Sequence, residues 1–444
     1  MMNIPDSFES RGSIAYAMID CNNFYASCER AFDPSLKNKP IVILSNNDGC
    51  VIARSNEAKE IGIPMGAPEF KYREEFKKHK VAVLSSNYAL YGDMSRRVMD
   101  VLREMTHDIE VYSIDEAFAE LSTNTFADLE QYGKKIRERV LRYTGIPVSV
   151  GIAESKTLAK IANERAKKNP EYHGVLNLVG HDRTDELLSA IPLNDIWGIG
   201  NGMTLRLNRY HIETALDLKQ TIRNKRWVRK HLNVTGLRTV LELNGIPCMK
   251  LEQTLNAKKG ILSSRMFGKP MYKVQPVQEA VCSYAARAAE KLRAQKSVCT
   301  NLQVTLVTDK YENPGNKYKY TGFITFSNPT AHSPHIISAA ADLTSSLFRN
   351  GNKYKKASVM LTGLHPDQEV QMDLFNESGY DDQQRALMSC IDQLNSKHGR
   401  NTANFAATGL HRQTGDERVW KMKQNYLSPR YTTRWDEIMT AKTG

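Results

Sequence analysis

Two adjacent carboxylates, Asp115 and Glu116, lie within the stretch YSIDEAFAEL at residues 112–121. The apolar residues before and after them are typical of two short strands, so the pair is predicted to form the turn of a hairpin, where both side chains can lie together. Two carboxylates this close repel each other unless a cation lies between them. The pair therefore predicts a cation site, with a solvated acidic turn as the alternative.

A third acid, Asp20, directly follows an apolar run and is predicted to end a buried strand. Oxygen ligands without His or Cys suit a hard octahedral ion such as Mg²⁺, and three carboxylates can hold two ions about 3.5 to 4 Å apart. This ligand set is typical of phosphoryl or nucleotidyl transfer. Lys59 and Lys156 are candidates to neutralise phosphate charge, although a lysine taken alone is more often a solvated surface residue.

The predicted elements divide the chain into three structured parts and a polar tail. The first ~180 residues alternate strands and helices, which is typical of an α/β fold. Residues 181–258 are helical and carry a turn from Gly198 to Gly200 that is typical of a helix-hairpin-helix, whose backbone N–H groups bind DNA phosphate; an ordinary helix connection is the alternative. Residues 259–365 follow the βαββαβ order of a ferredoxin-like α+β unit.

The positive charge of the chain is concentrated in this last part. The net charge is +12 at pH 7, and residues 259–365 hold 15 lysines and arginines against 5 aspartates and glutamates. Such an excess predicts a polyanion partner, most commonly nucleic acid, with a solvated basic face as the alternative. We expect phosphate contacts from Lys353, Lys355 and Lys356, which lie next to the last predicted strand.

Composition argues against several protein classes. The 444 residues are 41% hydrophobic, enough for several domains, and no window approaches the roughly 18 apolar residues of a membrane span. The first residues resemble no secretion signal. Seven scattered cysteines without a CxxC pair indicate reduced thiols rather than zinc sites or disulfides. We therefore expect a soluble, cytoplasmic protein without a membrane partner.

Five motifs, in order, resemble the Y-family translesion DNA polymerases: DCNNFYASCE, SNNDGCVIARSNEAK, SIDEAF, GIAESKTLAKIA and WGIG. Two further stretches, CSYAARAAEKLR and LSPRYTTRW, resemble the UmuC branch, the catalytic subunits of bacterial DNA polymerase V and their plasmid-borne relatives. The resemblance implies an error-prone, nucleoid-associated DNA polymerase for translesion synthesis in the SOS response. A stand-alone DinB-like polymerase is the alternative within the family.

The resemblance also implies roles for individual residues. The family's metal ligands, for two Mg²⁺ ions, fall on the side chains of Asp20, Asp115 and Glu116 and on the backbone carbonyl of Cys21. The aromatic steric gate, which clashes with the 2′-hydroxyl of a ribonucleotide, falls on Tyr25, with Phe24 beside it.

The contacts to the incoming nucleotide are implied in the same way. The family's triphosphate contacts fall on Lys59 and Lys156, and Arg54 is a neighbour over the nucleotide or the template base. Asn56 stands where many relatives have a tyrosine that hydrogen-bonds the triphosphate, so its role is left unassigned.

The family architecture is a right hand. The parts are assigned as palm (13–32 and 93–180), fingers (33–92), thumb (181–258), little finger (259–365) and C-terminal tail (366–444). Fingers of only ~60 residues imply weak checking of base-pair shape, and hence low fidelity and lesion bypass. No stretch of sufficient length remains for a proofreading exonuclease.

The implied partners are primer–template DNA, deoxynucleoside triphosphates, a processed UmuD-type dimer and a RecA filament. In the tail, QMDLF resembles the pentapeptide by which bacterial polymerases bind the sliding clamp. Leu374 and Phe375 would fill an apolar pocket on the clamp, and Gln371 would hydrogen-bond at its edge.

Two other protein classes compete with this interpretation. One is a DNA-binding accessory protein with a decayed catalytic centre, against which the three intact acids argue. The other is a different two-metal enzyme on a similar palm, such as a nucleotidyl cyclase, which would need neither the Gly-x-Gly turn nor the basic βαββαβ part.

Overall fold

The structure is a computed structural model that describes residues 14–106, 108–122, 128–253, 257–308, 318–368, 382–399, 401–409, 420 and 422–438. The chain divides into two compact units. The first unit comprises residues 1–45, 49–255 and 426–444, and the second comprises residues 46–48 and 256–425. The chain therefore returns to the first unit at Tyr426 after completing the second. Within the described residues, no helix is both long and apolar enough to cross a membrane.

The helices and strands of the first unit are, in chain order, β1 (Ile14–Cys21), α1 (Phe24–Phe32), β2 (Ile41–Leu44), β3 (Val51–Arg54), α2 (Asn56–Glu60), α3 (Glu69–Lys78), β4 (Ala82–Ser85), α4 (Tyr88–Met105), β5 (Ile109–Val111), β6 (Glu116–Ser122), α5 (Leu129–Thr144), β7 (Val148–Ala153), α6 (Lys156–Lys168), β8 (Val175–Asn177), α7 (Thr184–Ser189), α8 (Asn201–Asn208), α9 (Ala215–Gln220) and α10 (Lys225–Leu243). Those of the second unit are β9 (Ile261–Met271), α11 (Val274–Ala294), β10 (Ser297–Thr308), β11 (Lys319–Thr330), α12 (Ser333–Leu347), β12 (Tyr354–Pro366) and α13 (Asp382–His398).

The larger sheet of the first unit has five strands in the order β5-β6-β1-β7-β8. Its central strand, β1, pairs antiparallel with β6 and β7 and is apolar along almost its whole length, because helices cover both faces of the sheet. Ala17 and Ile19 pack into the core beneath α4 and α5, whereas Tyr16 and Met18 pack against α6. Since side chains alternate along a strand, Asp20 belongs to the face that α6 covers.

A smaller sheet, in the order β3-β2-β4, carries α2 and α3 over its own small core. Ser55 begins α2 by accepting a hydrogen bond from the N–H of Ala58, as an N-cap serine commonly does. The helices α7 to α10 share a core with α6. Between α7 and α8, Gly198 adopts φ +86°, a left-handed conformation that favours glycine, and Gly200 caps α8.

The second unit is a four-stranded antiparallel sheet in the order β11-β10-β12-β9, with α11 and α12 packed against it. Its sequence of elements is the predicted βαββαβ. In β12, Ala357, Val359 and Leu361 are buried in the core and alternate with half-buried residues. From the tail, Met388 on α13 and Trp420 extend this core.

Candidate active site

Three acids meet near the end of β1. Asp20 is the register partner of Glu116, the first residue of β6, in the antiparallel β1–β6 ladder. The next residue, Cys21, donates its N–H to the backbone carbonyl of Asp115 at 2.9 Å. The structure thus brings Asp20, Glu116 and the backbones of Cys21 and Asp115 to one strand end, where the sequence predicts the metal ligands.

The turn before Glu116 is organised by Ser113. The hydroxyl of Ser113 accepts the backbone N–H groups of Asp115 at 3.2 Å and Glu116 at 3.1 Å, and it donates to Oδ1 of Asp115 at 2.6 Å. The N–H groups of Tyr112 and Ser113 both donate to the carbonyl of Glu116. Only Asp115 therefore lies in the turn, whereas Glu116 already belongs to the strand, which corrects the expectation that both acids form the hairpin tip.

Helix α6 supplies two lysines to these acids. Lys167 forms an ion pair with Asp20, and Nζ of Lys160 lies 3.0 Å from Oε1 of Glu116. Burial raises the pKa of Asp20 to about 6; Lys167 opposes this shift, and the charges of Glu116 and Asp115 add to it. The acids are thus close enough to repel each other, and the lysines offset part of that repulsion.

This oxygen-only donor set suits a hard divalent cation such as Mg²⁺. In the described part of the chain, no three His, Cys, Asp or Glu side chains are grouped closely enough to hold a metal ion. The carboxylates of Asp20 and Glu116 instead pair with Lys167 and Lys160. The clustered negative charge, together with the pKa of Asp20 raised by burial, fits a site that takes positive charge. Asp20, Asp115, Glu116 and the Cys21 carbonyl are the residues that could hold it.

The predicted steric gate, Tyr25, lies at the start of α1. Its ring stacks on that of Tyr91, with centroids 4.4 Å apart and 14° between the planes, and meets Tyr88 edge-on at 6.2 Å. Burial, then the charges of Tyr88 and Asp115, raise the pKa of the Tyr25 phenol, so the phenol lies within electrostatic reach of Asp115. Phe24 is only 3% exposed and serves the core.

Lys59 is held by two asparagines. Its Nζ donates to Oδ1 of Asn23 at 2.7 Å and to Oδ1 of Asn56 at 3.2 Å. Burial, followed by the charges of Arg54 and Lys167, lowers the pKa of Lys59. Arg54 and Lys167 therefore both lie within electrostatic reach of Lys59, an arrangement that favours an anionic ligand. Asn56, whose role the sequence leaves unassigned, holds the Lys59 ammonium group.

Lys156 does not fit the triphosphate role predicted for it. It is only 2% exposed, its Nζ pairs with Oε2 of Glu110 at 2.5 Å, and it donates to the carbonyl of Lys250 at 2.8 Å. The ammonium group of Lys156, the first residue of α6, is therefore occupied by contacts within the protein. One turn later, Lys160 reaches the acids instead, and its Nζ lies 4.7 Å from the centroid of the Tyr112 ring.

Lys160 and Lys167 are functional candidates that the sequence patterns alone do not single out. They are seven residues apart in a helical segment and hence share one face of α6, and this spacing is the signal that could have found them. Trp197, from the WGIG motif, also lies beside Lys160, with its ring centroid 5.6 Å from Nζ of that lysine. The Nε1 of Trp197 donates to the Tyr112 hydroxyl at 3.1 Å.

The predicted DNA contacts lie in both units. A Cβ added to Gly200 would meet no atom within 4 Å, so the backbone at this turn is accessible. In the second unit, Lys355 and Lys356 belong to β12, and Lys353 precedes it; all three are half-buried. The predicted clamp-binding residues lie outside the described residues: Gln371, Leu374 and Phe375.

Family models match three parts of the chain. Residues 19–164 match the impB/mucB/samB family, and residues 258–374 match the C-terminal domain of that family. Residues 385–441 match a domain of unknown function, DUF4113.

Curated relatives match almost the whole chain. It is 44% identical over 430 residues to Protein UmuC of Salmonella typhimurium, with 96% of this chain and 100% of the relative covered. It is 41% identical over 432 residues to Protein ImpB of the same organism, covering 97% and 100%. Similarity to a DNA polymerase IV of Desulfatibacillum aliphaticivorans is lower, 25% over 399 residues, with 88% and 95% covered.

Among solved structures, the chain resembles the Y-family DNA polymerase chimera Dbh-Dpo4(243-245)-Dbh, with a TM-score of 0.63 and 21% identity, over 79% of this chain and 99% of that chain. It also resembles an insertion ternary complex of Dbh DNA polymerase, with a TM-score of 0.51 and 21% identity over 78% and 98%. At this identity the likeness shows the right-hand polymerase fold alone.

Proposed function

The chain belongs to the impB/mucB/samB family, and from that premise we propose that it is an error-prone, DNA-directed DNA polymerase for translesion synthesis. It would transfer a deoxynucleotide to a primer 3′-hydroxyl and release pyrophosphate. The observation that carries this proposal is the placement of Asp20 opposite Glu116, with Asp115 bonded to the same strand end.

The acids have a defined part in this reaction. Asp20, Asp115, Glu116 and the Cys21 carbonyl would hold the divalent metal, for which we propose two Mg²⁺ ions. When bound, such ions lower the pKa of the attacking hydroxyl and neutralise charge on the triphosphate. Ser113 fixes Asp115 through its hydroxyl, so this carboxylate is oriented before any substrate arrives.

The lysines have a complementary part. Lys160 and Lys167 neutralise Glu116 and Asp20 in the structure. With metal cations at these acids, both ammonium groups would become available to phosphate oxygens of the nucleotide. Lys59, held in place by Asn23 and Asn56, would bind the same triphosphate as a further positive charge.

The Tyr25 ring would select the sugar. The ring is half-buried, stacked on Tyr91 and within electrostatic reach of Asp115. It can therefore lie beneath the sugar of a nucleotide whose phosphates contact the lysines. A 2′-hydroxyl would then clash with the ring, which is discrimination by steric exclusion.

For the hand, we assign palm, fingers and thumb to the first unit and the little finger to residues 259–365. Basic residues of the second unit and the backbone at Gly198 to Gly200 would contact DNA phosphates.

A stand-alone DinB-like polymerase is less well supported, because UmuC and ImpB match at higher identity than relatives named DNA polymerase IV. From the family resemblance we also propose a sliding clamp, a processed UmuD-type dimer and a RecA filament as partners.

Primer extension by the purified chain tests the function. The reactions contain Mg²⁺, deoxynucleotides and either an undamaged template or one with an abasic site, with and without the UmuD-type dimer and the RecA filament. We expect extension on the undamaged template and past the lesion in at least one of these mixtures. If the chain binds primer–template but incorporates no nucleotide in any mixture, the accessory-protein alternative is correct.

A further inference from the structure

Glu29 is a buried carboxylate that the proposed reaction does not use. It lies on α1 with 1% of its surface exposed, and among the residues that the structure describes no lysine, arginine or histidine forms an ion pair with it. Its Oε1 accepts hydrogen bonds from the hydroxyl of Tyr91 at 2.7 Å and from the hydroxyl of Ser428 at 3.0 Å. Since an unsatisfied buried carboxylate is costly, these two hydroxyls fix its position.

The first hydroxyl connects Glu29 to the proposed steric gate. Tyr25 and Glu29 are four residues apart on α1 and so lie on one face of the helix. Tyr91, which is fully buried, spans both residues: its ring stacks on Tyr25 while its hydroxyl donates to Glu29. The stack alone leaves the rings free to slide, whereas the hydrogen bond fixes the far end of Tyr91.

The second hydroxyl comes from the C-terminal part of the chain. Nδ2 of Asn87, the N-cap residue of α4, donates to Oγ of Ser428 at 3.0 Å and to the carbonyls of Ser428 and Pro429 at 3.2 Å each. The side chain of Asn87 also accepts the N–H of Leu90. One buried asparagine therefore connects the start of α4 to the C-terminal segment and orients the Ser428 hydroxyl.

The same segment is anchored on both sides of Ser428. Before it, Tyr426 and Ser85 exchange two hydrogen bonds, from the Ser85 N–H to the Tyr426 carbonyl at 2.9 Å and from the Tyr426 N–H to the Ser85 hydroxyl at 3.1 Å. After it, the ring of Tyr431 stacks on Phe32, at the end of α1, with centroids 5.0 Å apart and 6° between the planes. The segment therefore bridges α1 and the start of α4.

We propose that residues 426–431, part of the region that matches a domain of unknown function, form a strap that positions the Tyr25 ring through Ser428, Glu29 and Tyr91 and thereby tightens the exclusion of ribonucleotides. Ser428 is a positioning residue, since it acts through Glu29 and Tyr91. The proposal rests on the proposed role of Tyr25 as the steric gate. A steric gate needs this support because small displacements of the ring change the clash with a 2′-hydroxyl.

The test compares single-nucleotide incorporation of a ribonucleotide and of the matching deoxynucleotide by the full chain, as the ratio of the two kcat/KM values. The strap variants are Ser428→Ala, Tyr91→Phe and their combination, and Ser428→Thr is the conservative variant. Tyr25→Ala serves as the reference for loss of the gate. Arg103→Ala is the matched control, because Arg103 lies in the last turn of α4, away from its start at the strap, and its exposed guanidinium pairs with Asp100.

We expect Ser428→Ala and Tyr91→Phe each to weaken sugar discrimination by about 3- to 10-fold, as the loss of one hydrogen bond would. The double variant should lose less than the product of the two, because both act on Glu29. Ser428→Thr should retain the parent ratio, as should Arg103→Ala. Thermal unfolding of each variant identifies any general loss of structure.

The outcomes separate the strap from the gate. If Tyr25→Ala weakens discrimination while Ser428→Ala retains the parent ratio, the strap proposal is wrong, whatever Tyr91→Phe does, and the gate stands. If Tyr25→Ala itself retains the parent ratio, the gate role is wrong and the strap proposal falls with it. Should Ser428→Ala fail to fold, Ser428→Cys, which keeps a side chain of similar size but donates only weakly to Glu29, takes its place.

Discussion

Asp20 and Glu116 lie directly opposite each other in the β1–β6 ladder. Like charges at such positions are destabilising, and proteins usually avoid them. Here α6 crosses the same face of the sheet and places Lys167 on Asp20 and Lys160 on Glu116. A neutral pair at these two positions would avoid the repulsion between the carboxylates. This arrangement is therefore best explained by a need for concentrated negative charge at one strand end.

Lys156 and Lys160, one turn apart on α6, are expected to differ in the effect of replacement. Lys156→Ala leaves Glu110 buried without its cation, so we expect a loss of about 3 to 5 kcal/mol in the free energy of unfolding. Lys160→Ala should instead raise the KM for the incoming deoxynucleotide with a small effect on stability. Denaturant unfolding and steady-state incorporation measure the two effects, and the reverse pattern would return the phosphate role to Lys156.

Tyr25 and Phe24 are adjacent aromatic residues with different surroundings. Tyr25→Ala removes the clash with a 2′-hydroxyl, so ribonucleotide incorporation should rise relative to deoxynucleotide incorporation. Phe24→Ala opens a cavity in the core and should cost about 3 to 5 kcal/mol of stability. Its ratio of ribonucleotide to deoxynucleotide incorporation should stay near that of the parent. A larger change in this ratio for Phe24→Ala than for Tyr25→Ala would identify Phe24 as the gate.

The basic second unit predicts strongly salt-dependent DNA binding. We expect DNA binding to depend less steeply on salt when Lys353, Lys355 and Lys356 are all replaced by alanine. The slope of log affinity against log salt concentration should become shallower by up to about 0.9 for each phosphate that the variant no longer neutralises. Fluorescence anisotropy of labelled primer–template over a series of salt concentrations measures the slope. A matched triple variant on α3, at Lys71, Lys77 and Lys78, controls for net charge. Equal slopes in the two triple variants would place the phosphate-binding residues elsewhere.

The clamp-binding prediction concerns QMDLF at residues 371–375. Replacing Leu374 and Phe375 with alanine should abolish stimulation of synthesis by a loaded sliding clamp, because these side chains would fill the clamp pocket. Synthesis on a primer without a clamp should be unaffected. Alanine at the preceding Glu369 and Val370 is the control, and equal stimulation of the parent and of the Leu374 and Phe375 variant would contradict the prediction.

Local patterns predict well the strands that carry Asp20 and Glu116 and the turn that carries Asp115. The period of the apolar residues before Asp20 indicates a buried strand, and the spacing around Asp115 and Glu116 indicates a hairpin, both of which the structure contains. The βαββαβ order follows from the same kind of pattern. These features depend on neighbouring residues, which a single sequence displays.

Interactions between distant residues are not predictable in this way. The surroundings of each lysine on α6 depend on how that helix lies across the sheet. The sequence motif assigns Lys156 to the triphosphate, whereas the structure pairs Lys156 with the buried Glu110 and places Lys160 beside Glu116. Ser428 meets Glu29 across 399 positions of the chain. No periodicity in the sequence records such an interaction, because the tertiary fold alone brings the two residues together.

The most direct test of the proposed polymerase is single-nucleotide incorporation by Asp115→Ala and Glu116→Ala, measured with saturating primer–template, deoxynucleotide and Mg²⁺. Glu120→Ala, which removes an acid from the same strand, is the matched control. We predict that each site variant loses at least about 10²- to 10³-fold in rate, the effect of removing an electrostatic interaction with the transition state, while DNA affinity and the control rate stay near the parent values. Near-parent rates for either site variant would contradict the proposed metal site and the polymerase mechanism built on it.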